Sequence, residues 1–283
     1  MALLDAYSRA FQKSIASIAG YLSDKWLGPP GSHGSVRFGG VISAEEPIAI
    51  KRSLRKMRWY GLRDFKLKVG DECDESRLQT TIDLLGRRLA RGKLTLRVDA
   101  NAAWSLEQAK AKLSSWESFP ITAIEQPLPK NQTIESAALA HATTLPIMAD
   151  ESLVTLDDAR DLIKQRAASW FNIRISKNGG LIPAIQLALL AHQHNIQYQL
   201  GCMVGETSIL SAAARWFLHL VPQVQFAEGS FGKFLLTQDI TANSLRFGYG
   251  GSWKPPAGPG LGIEVSPTSL ESLAGQKPIH IPL

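Results

Sequence analysis

The stretch Leu94-Thr-Leu-Arg-Val-Asp99-Ala-Asn101 decides how this chain is read. An apolar run of strand character ends on an acid. Shortly after it, Ser105-Leu-Glu-Gln108 begins the following helix. The same device recurs twice downstream: Thr122-Ala-Ile ends on Glu125, and Ile147-Met-Ala ends on Asp150, each about one strand-plus-helix unit further along.

Working outward from these three acids, the sequence alternates regularly. Strands are expected over 36–42, 64–69, 94–98, 121–124, 147–149, 170–175, 197–200 and 224–227. Helices are expected between them, one opened by the capping pattern Ser43-Ala-Glu-Glu46 and others over 75–89, from 105, and over 132–142, 155–166, 181–193 and 206–219. Strands alternating with helices of this length form βαβ units, whose crossovers make the strands parallel and put the helices outside. The fold class is therefore α/β, and eight strands suit a (β/α)7β TIM-like barrel. Periodicity alone leaves a doubly wound open sheet as the alternative.

Three regions follow. Residues 1–30 read as one amphipathic helix with Leu3, Tyr7, Phe11, Ile15, Ile18 and Leu22 at helical spacing, stopped by Gly28-Pro29-Pro30-Gly31. Residues 31–228 form the barrel. Residues 229–283, rich in Gly and Pro, read as an extended segment packed outside the barrel or on the first helix.

Composition excludes more than it assigns. The 283 residues are 45% hydrophobic, enough for one large core. No apolar run approaches the roughly 20 residues of a membrane span, and Asp5, Arg9 and Lys13 interrupt any signal-peptide reading. The net charge of +6 comes from scattered basic residues with no aromatic-basic motif, so no nucleic-acid partner is expected. Cys73 and Cys202 make neither a disulfide framework nor a metal pattern, which suggests reduced thiols in a cytoplasmic protein. His33, His141, His192, His194, His219 and His280 match no ligand spacing.

The chemistry rests on acids and lysines. In a barrel the C-terminal strand ends converge on one face, so Asp99, Glu125 and Asp150 would share a site. Three such carboxylates resist ionisation together unless a cation neutralises them, and hard oxygen ligands select Mg²⁺, with Mn²⁺ as substitute. Any one of these acids alone would be an ordinary helix cap; three in consecutive units weaken that reading. Lys66 and Lys68 lie two apart on the second strand and so share a face. Lys177, at the end of the sixth strand before Asn178-Gly179-Gly180, would approach from the opposite wall. A desolvated lysine with a lowered pKa can serve as a general base.

On these residues the sequence resembles the enolase superfamily, and within it the muconate-lactonizing-enzyme subgroup. The matching motifs are Lys66-Leu-Lys68, Asp99-Ala-Asn101, Glu125-Gln-Pro, Asp150-Glu151-Ser and Ile175-Ser-Lys177-Asn-Gly-Gly, in order, followed by Gly201-Cys202-Met203 and Pro259-Gly-Leu-Gly. The resemblance implies that Asp99, Glu125 and Asp150 bind Mg²⁺, and that Lys68 and Lys177 act as general base and acid on opposite faces of a substrate α-carbon. Lys66 would stabilise enolate charge and depress the pKa of Lys68, while Asn101 and Glu151 would orient Lys177 or the metal ligands.

The reaction expected from the resemblance is α-proton abstraction from a small carboxylate. A racemase or epimerase of amino-acid derivatives or dipeptides leads, with a cycloisomerase or an o-succinylbenzoate-synthase-type lyase as alternatives. The chain departs from the family in three places. Most of an α+β capping domain is expected to be missing, leaving 1–30 as its remnant, so a lid-less chain of little activity stands as a further alternative. Phe226-Ala-Glu228 stands where dipeptide epimerases carry an Asp-x-Asp that grips the substrate amine. Glu206 is either a substrate contact or the first-turn acid of the seventh barrel helix, the second being preferred. Oligomeric state is left open, a homo-oligomer being compatible.

Overall fold

A computed structural model describes residues 1–18, 22, 27 and 36–274. Seven parallel strands run in sequence order: β1 (Gly40–Ile42), β2 (Asp64–Lys68), β3 (Thr95–Asp99), β4 (Ala123–Glu125), β5 (Ile147–Ala149), β6 (Trp170–Ile173) and β7 (Gln197–Leu200). The eighth position is held by bridges alone. Ala227 pairs in parallel with both Leu200 and Phe38. The Leu200 amide donates to the Phe226 carbonyl (2.9 Å), the Glu228 amide to the Leu200 carbonyl (2.8 Å) and the Gly39 amide to the Ala227 carbonyl (2.8 Å). These bonds close the sheet into the (β/α)7β barrel that the alternation predicts. The strands predicted over 36–42 and 224–227 shorten to these few contacts.

The intervening helices are α2 (Pro47–Trp59), α3 (Asp74–Ala90), α4 (Leu106–Trp116), α5 (Thr133–Ala142), α6 (Leu156–Gln165), α7 (Leu181–Gln193) and α8 (Ser208–Leu220), after an N-terminal α1 (Ala2–Ala10). Ser105 and Gln108 form a capping box on α4, where a helix start is expected, and Thr155 and Asp158 form another on α6. The box predicted at Ser43 does not form. Pro47 occupies the first turn of α2, and the residue before a proline avoids helical backbone, so Glu46 stays extended and the helix starts after it.

Strand parity decides what each face carries. Phe65 and Leu67 on β2, Leu96 and Val98 on β3, Ile124 on β4 and Phe171 and Ile173 on β6 are all buried in the apolar layer between sheet and helices. The alternate positions, Lys66, Arg97, Asp99, Glu125, Asn172 and Gln199, are equally buried but polar. The barrel interior is therefore a charged and amide-lined column rather than the usual branched aliphatic packing.

The termini depart from the sequence expectation. A single helix over 1–30 is not found: α1 ends at Ala10, Gln12 takes a left-handed turn (φ 51°), and a short 3-10 helix follows over Ile15–Ile18. Among the described residues Leu3, Tyr7 and Phe11 of the stripe are exposed, and beyond the turn Ile15 is buried. The Gly28–Gly31 breaker, His33 and His280 lie outside the described residues. The tail is not simply extended either. It carries α9 (Gly232–Leu235) and α10 (Pro267–Ala274), and it meets α1, where Asp5 accepts from the Leu261 amide (2.7 Å) and pairs with Arg9.

Gly251 fixes the tail to the open end of β1. Its carbonyl accepts from the Phe38 amide (3.0 Å), its φ is +74°, and a Cβ there would strike the Phe38 carbonyl oxygen. Gly251→Ala is expected to cost more than the roughly 1–3 kcal/mol of a left-handed non-glycine residue alone. A urea titration should show the midpoint fall, and an unchanged midpoint would contradict this account of the closure.

Candidate active site

The carboxylates of Asp99, Glu125 and Asp150 stand at the C-terminal ends of β3, β4 and β5, all without solvent exposure. Register brings them side by side, with Lys68 opposite Asp99 and Asp99 opposite Glu125. Gln126 locks the next step. Its left-handed backbone (φ 37°) turns the side chain so that Oε1 accepts from the Asp150 amide (2.8 Å) while Nε2 donates to Ser152 Oγ (2.8 Å).

Lys66 lies at the bottom of the group. Its Nζ is 3.1 Å from both Asp99 and Glu125 and 2.7 Å from Glu228. Burial works to lower its pKa, but Glu125, Glu228 and Asp99 together outweigh burial and raise it. The ammonium is thus permanently charged, which suits stabilisation of a negative centre rather than proton abstraction. Glu125 is pushed up by burial against the pull of Lys66, whereas Lys66 and Lys68 overcome burial to hold Asp99 well below the usual range. Asn172 Nδ2 (2.8 Å) and Gln199 Nε2 (3.3 Å) complete the shell of Glu125.

Lys68 stands higher and partly open. Its Nζ is 2.7 Å from Asp99 Oδ2 and bonded to Asn101 Oδ1. Asn101 also accepts nothing from Lys177; its Nδ2 donates to Glu151 (3.2 Å) and its amide to Asp99 (3.0 Å). It therefore orients Lys68 and a carboxylate, and Glu151 hydrogen-bonds Asn101 rather than Lys177. Lys177 lies in the turn beyond β6, not on the strand, because the strand stops at Ile173. Its Nζ donates to Asp150 Oδ1 (2.6 Å), to the Asp150 carbonyl and to the Asn172 carbonyl (3.3 Å). Burial and the neighbouring Arg174 lower its pKa to about 7.

Four polar residues were not singled out from sequence, Arg97, Asn172, Arg174 and Gln199, and Glu228 was read only as a departure at a substrate-binding position. Glu228 is buried between Lys66 and Arg97 (2.7 Å each), and the Arg97 guanidinium also lies over the Phe226 ring (4.5 Å) and against Gln199. Arg174 continues the inward parity of Asn172, and its guanidinium meets Asp150 Oδ2 and comes within 3.8 Å of Glu125. Glu206 precedes α8, whose extended cap is Thr207, so it is not a first-turn acid. It accepts from the Met203 amide (2.7 Å) and Ser176 Oγ (3.4 Å), and burial raises its pKa. The acid at that helix start is Asp239 from the tail, on the Ser208 amide (3.2 Å).

Among the described residues no three acidic, Cys or His side chains stand as a ready metal cradle. The donor chemistry nevertheless fits a hard divalent cation: three wholly buried carboxylates adjoin at the ends of consecutive strands and supply only oxygen donors. Cationic side chains face the Asp150 oxygens and Asp99 Oδ2, while the Asn172 and Gln199 amides share Glu125 with Lys66.

The sequence matches the enolase C-terminal domain-like family over residues 49–269, and the chain belongs to that family. Within the enolase superfamily it falls with the muconate-lactonizing-enzyme-like proteins. The D-Ala-D/L-Ala epimerase of Cytophaga hutchinsonii is 32% identical over 176 residues, covering 62% of this chain and 46% of the relative. Muconate cycloisomerase 1 of Acinetobacter baylyi is 33% identical over 235 residues, covering 82% and 60%. The fold is shared with a dipeptide epimerase from Cytophaga hutchinsonii solved with Mg and the dipeptide D-Ala-L-Val (TM-score 0.83, 24% identity, 95% of this chain and 70% of that one). The chain thus spans about half to three-fifths of the two curated relatives. No helix of the described residues is long and apolar enough to cross a membrane.

Proposed function

We propose that this chain removes and returns the α-proton of a small carboxylate, as a racemase or epimerase in the cytoplasm. The observation that carries the reading is the placement of two lysines at the two ends of one row of acids. Lys68 on β2 meets Asp99, and Lys177 beyond β6 meets Asp150. In an eight-membered ring, positions two and six face each other across the barrel. A substrate α-carbon held between them presents one face to each ammonium, the arrangement a 1,1-proton transfer requires.

Asp99, Glu125 and Asp150 would hold Mg²⁺ or Mn²⁺. Bound there, the cation would supply electrostatic stabilisation of the carboxylate-derived enolate. The remaining work falls to the chain. Lys66, fixed in its charged form, places a further positive charge beneath the developing oxyanion. Asn101 keeps Lys68 aimed, and the carbonyls of Asp150 and Asn172 hold Lys177. The Cytophaga epimerase bound to Mg supports the metal, and the epimerase relative supports the reaction.

Glu228 narrows the substrate. Where dipeptide epimerases grip an amine, this carboxylate is spent on Lys66 and Arg97 and is 2% exposed. The reading therefore favours N-acylated amino acids over dipeptides with a free amine. In D₂O with Mg²⁺, a panel of N-acyl amino acids should lose the α-proton signal in NMR for at least one member. Absence of exchange across the panel with either metal rejects the reading. A second reading, cycloisomerisation of an unsaturated dicarboxylate, is supported by the longer match to muconate cycloisomerase; loss of the diene absorbance without α-exchange would select it.

A further inference from the structure

Asp150 is served by two cations where one would balance it. Lys177 holds Oδ1 and is itself fixed by the Asp150 and Asn172 carbonyls. Arg174 meets Oδ2 and also lies 3.8 Å from Glu125 and 3.9 Å from Glu151. Yet Arg174 is poorly satisfied. Among the described residues its Nε is buried without a partner, and Nη1 finds only the Met203 sulfur at 3.3 Å.

We propose that Arg174 is a built-in cation of the barrel, competing with a divalent ion for Asp150 and Glu125. The inference rests on the proposed metal reading and deepens it. Asn178 Oδ1 holds the Arg174 backbone amide (2.8 Å), so the main chain stays in place while the long side chain swings. The mouth of the barrel offers it room, since Met203 and Val204 beyond are exposed. Displaced from Asp150, its planar fork matches a carboxylate ligand. The chain would then bind a divalent ion weakly for a site with three acidic ligands, because each binding event must first break an ion pair.

The test is Mn²⁺ binding followed by the EPR signal of the free ion, with thermal unfolding alongside, on the whole chain and on Arg174→Gln and Arg174→Lys. Arg174→Gln should bind Mn²⁺ at least about tenfold more tightly than the parent, about 1.4 kcal/mol. Its metal-free melting temperature should lie below the parent's, with the gap closing at saturating Mn²⁺. Arg174→Lys, which keeps the charge, should bind within a few-fold of the parent and gives the comparison if the Gln variant folds only with metal. Equal or weaker binding by both variants overturns the inference while leaving the metal reading intact. No binding by any form up to millimolar Mn²⁺, with Asp150→Asn melting as the parent does in its presence, overturns both.

Discussion

Replacing Lys68 by Ala is expected to abolish α-proton exchange from one enantiomer of the substrate and to leave measurable exchange from the other; Lys177→Ala should show the reverse. Each lysine faces the row of acids from its own wall, so each can reach only the proton on its side of the α-carbon. Loss of a positioned base typically costs about 10²–10⁴-fold, so the affected enantiomer should fall by at least about a hundredfold. Lys68 is partly exposed and, among the described residues, its ammonium bonds only Asp99 and Asn101, so folding should be little affected by its truncation. Lys66→Ala should instead suppress both enantiomers together, because its charge lies beneath the shared oxyanion. Deuterium wash-in followed separately for the two enantiomers checks all three. Equal loss of both in Lys68→Ala would leave no room for a two-base arrangement.

How far sequence carried the site depended on parity and chain direction. The acids were legible because each terminates an apolar run, and the strand ends of a parallel barrel converge whatever the helices do. Lys66 and Lys68 were legible for the same reason. Lys177 was misplaced onto strand six, and Arg174 passed over, because Ile173-Arg174-Ile175 looks like a continuing strand until the turn is seen. The buried amides and Glu228 left a fainter signal. Asn172 interrupts Trp170-Phe171-Asn-Ile173, and Gln199 interrupts Tyr198-Gln-Leu200, each at the parity of the inward positions. Polar residues at the inward beat of apolar strands announce a polar interior, but their partners on other strands are set only by closure. The helices of the tail were not legible, since they are short and the Pro267–Ala274 helix buries none of its residues, so neither leaves a periodic apolar stripe.

The polar interior makes its own prediction. Glu228→Ala is expected to destabilise the chain by about 3–5 kcal/mol, the usual result of leaving a buried charge uncompensated. Glu228 is the only acid that Arg97 pairs with among the described residues, and two nitrogens of that guanidinium already lack hydrogen bonds. Against a total stability of about 5–15 kcal/mol, such a loss should be plain in a urea titration followed by tryptophan fluorescence. Glu228→Gln keeps the shape and an acceptor and should cost less, about 1–3 kcal/mol. It should also change the acid limb. Lys66 and Arg97 overcome burial to hold Glu228 below its ordinary pKa, so its contribution is present above the unfolded value and lost as pH falls through the folded one. The Gln variant lacks that term, and its deficit relative to the parent should shrink on acidification. Replacing both partners, Arg97→Met with Glu228→Leu, should recover part of the stability lost in Glu228→Ala, because neither charge is then stranded and Lys66 still has Asp99 and Glu125. A double variant as unstable as the Ala variant would mean that Glu228 acts on Lys66 alone.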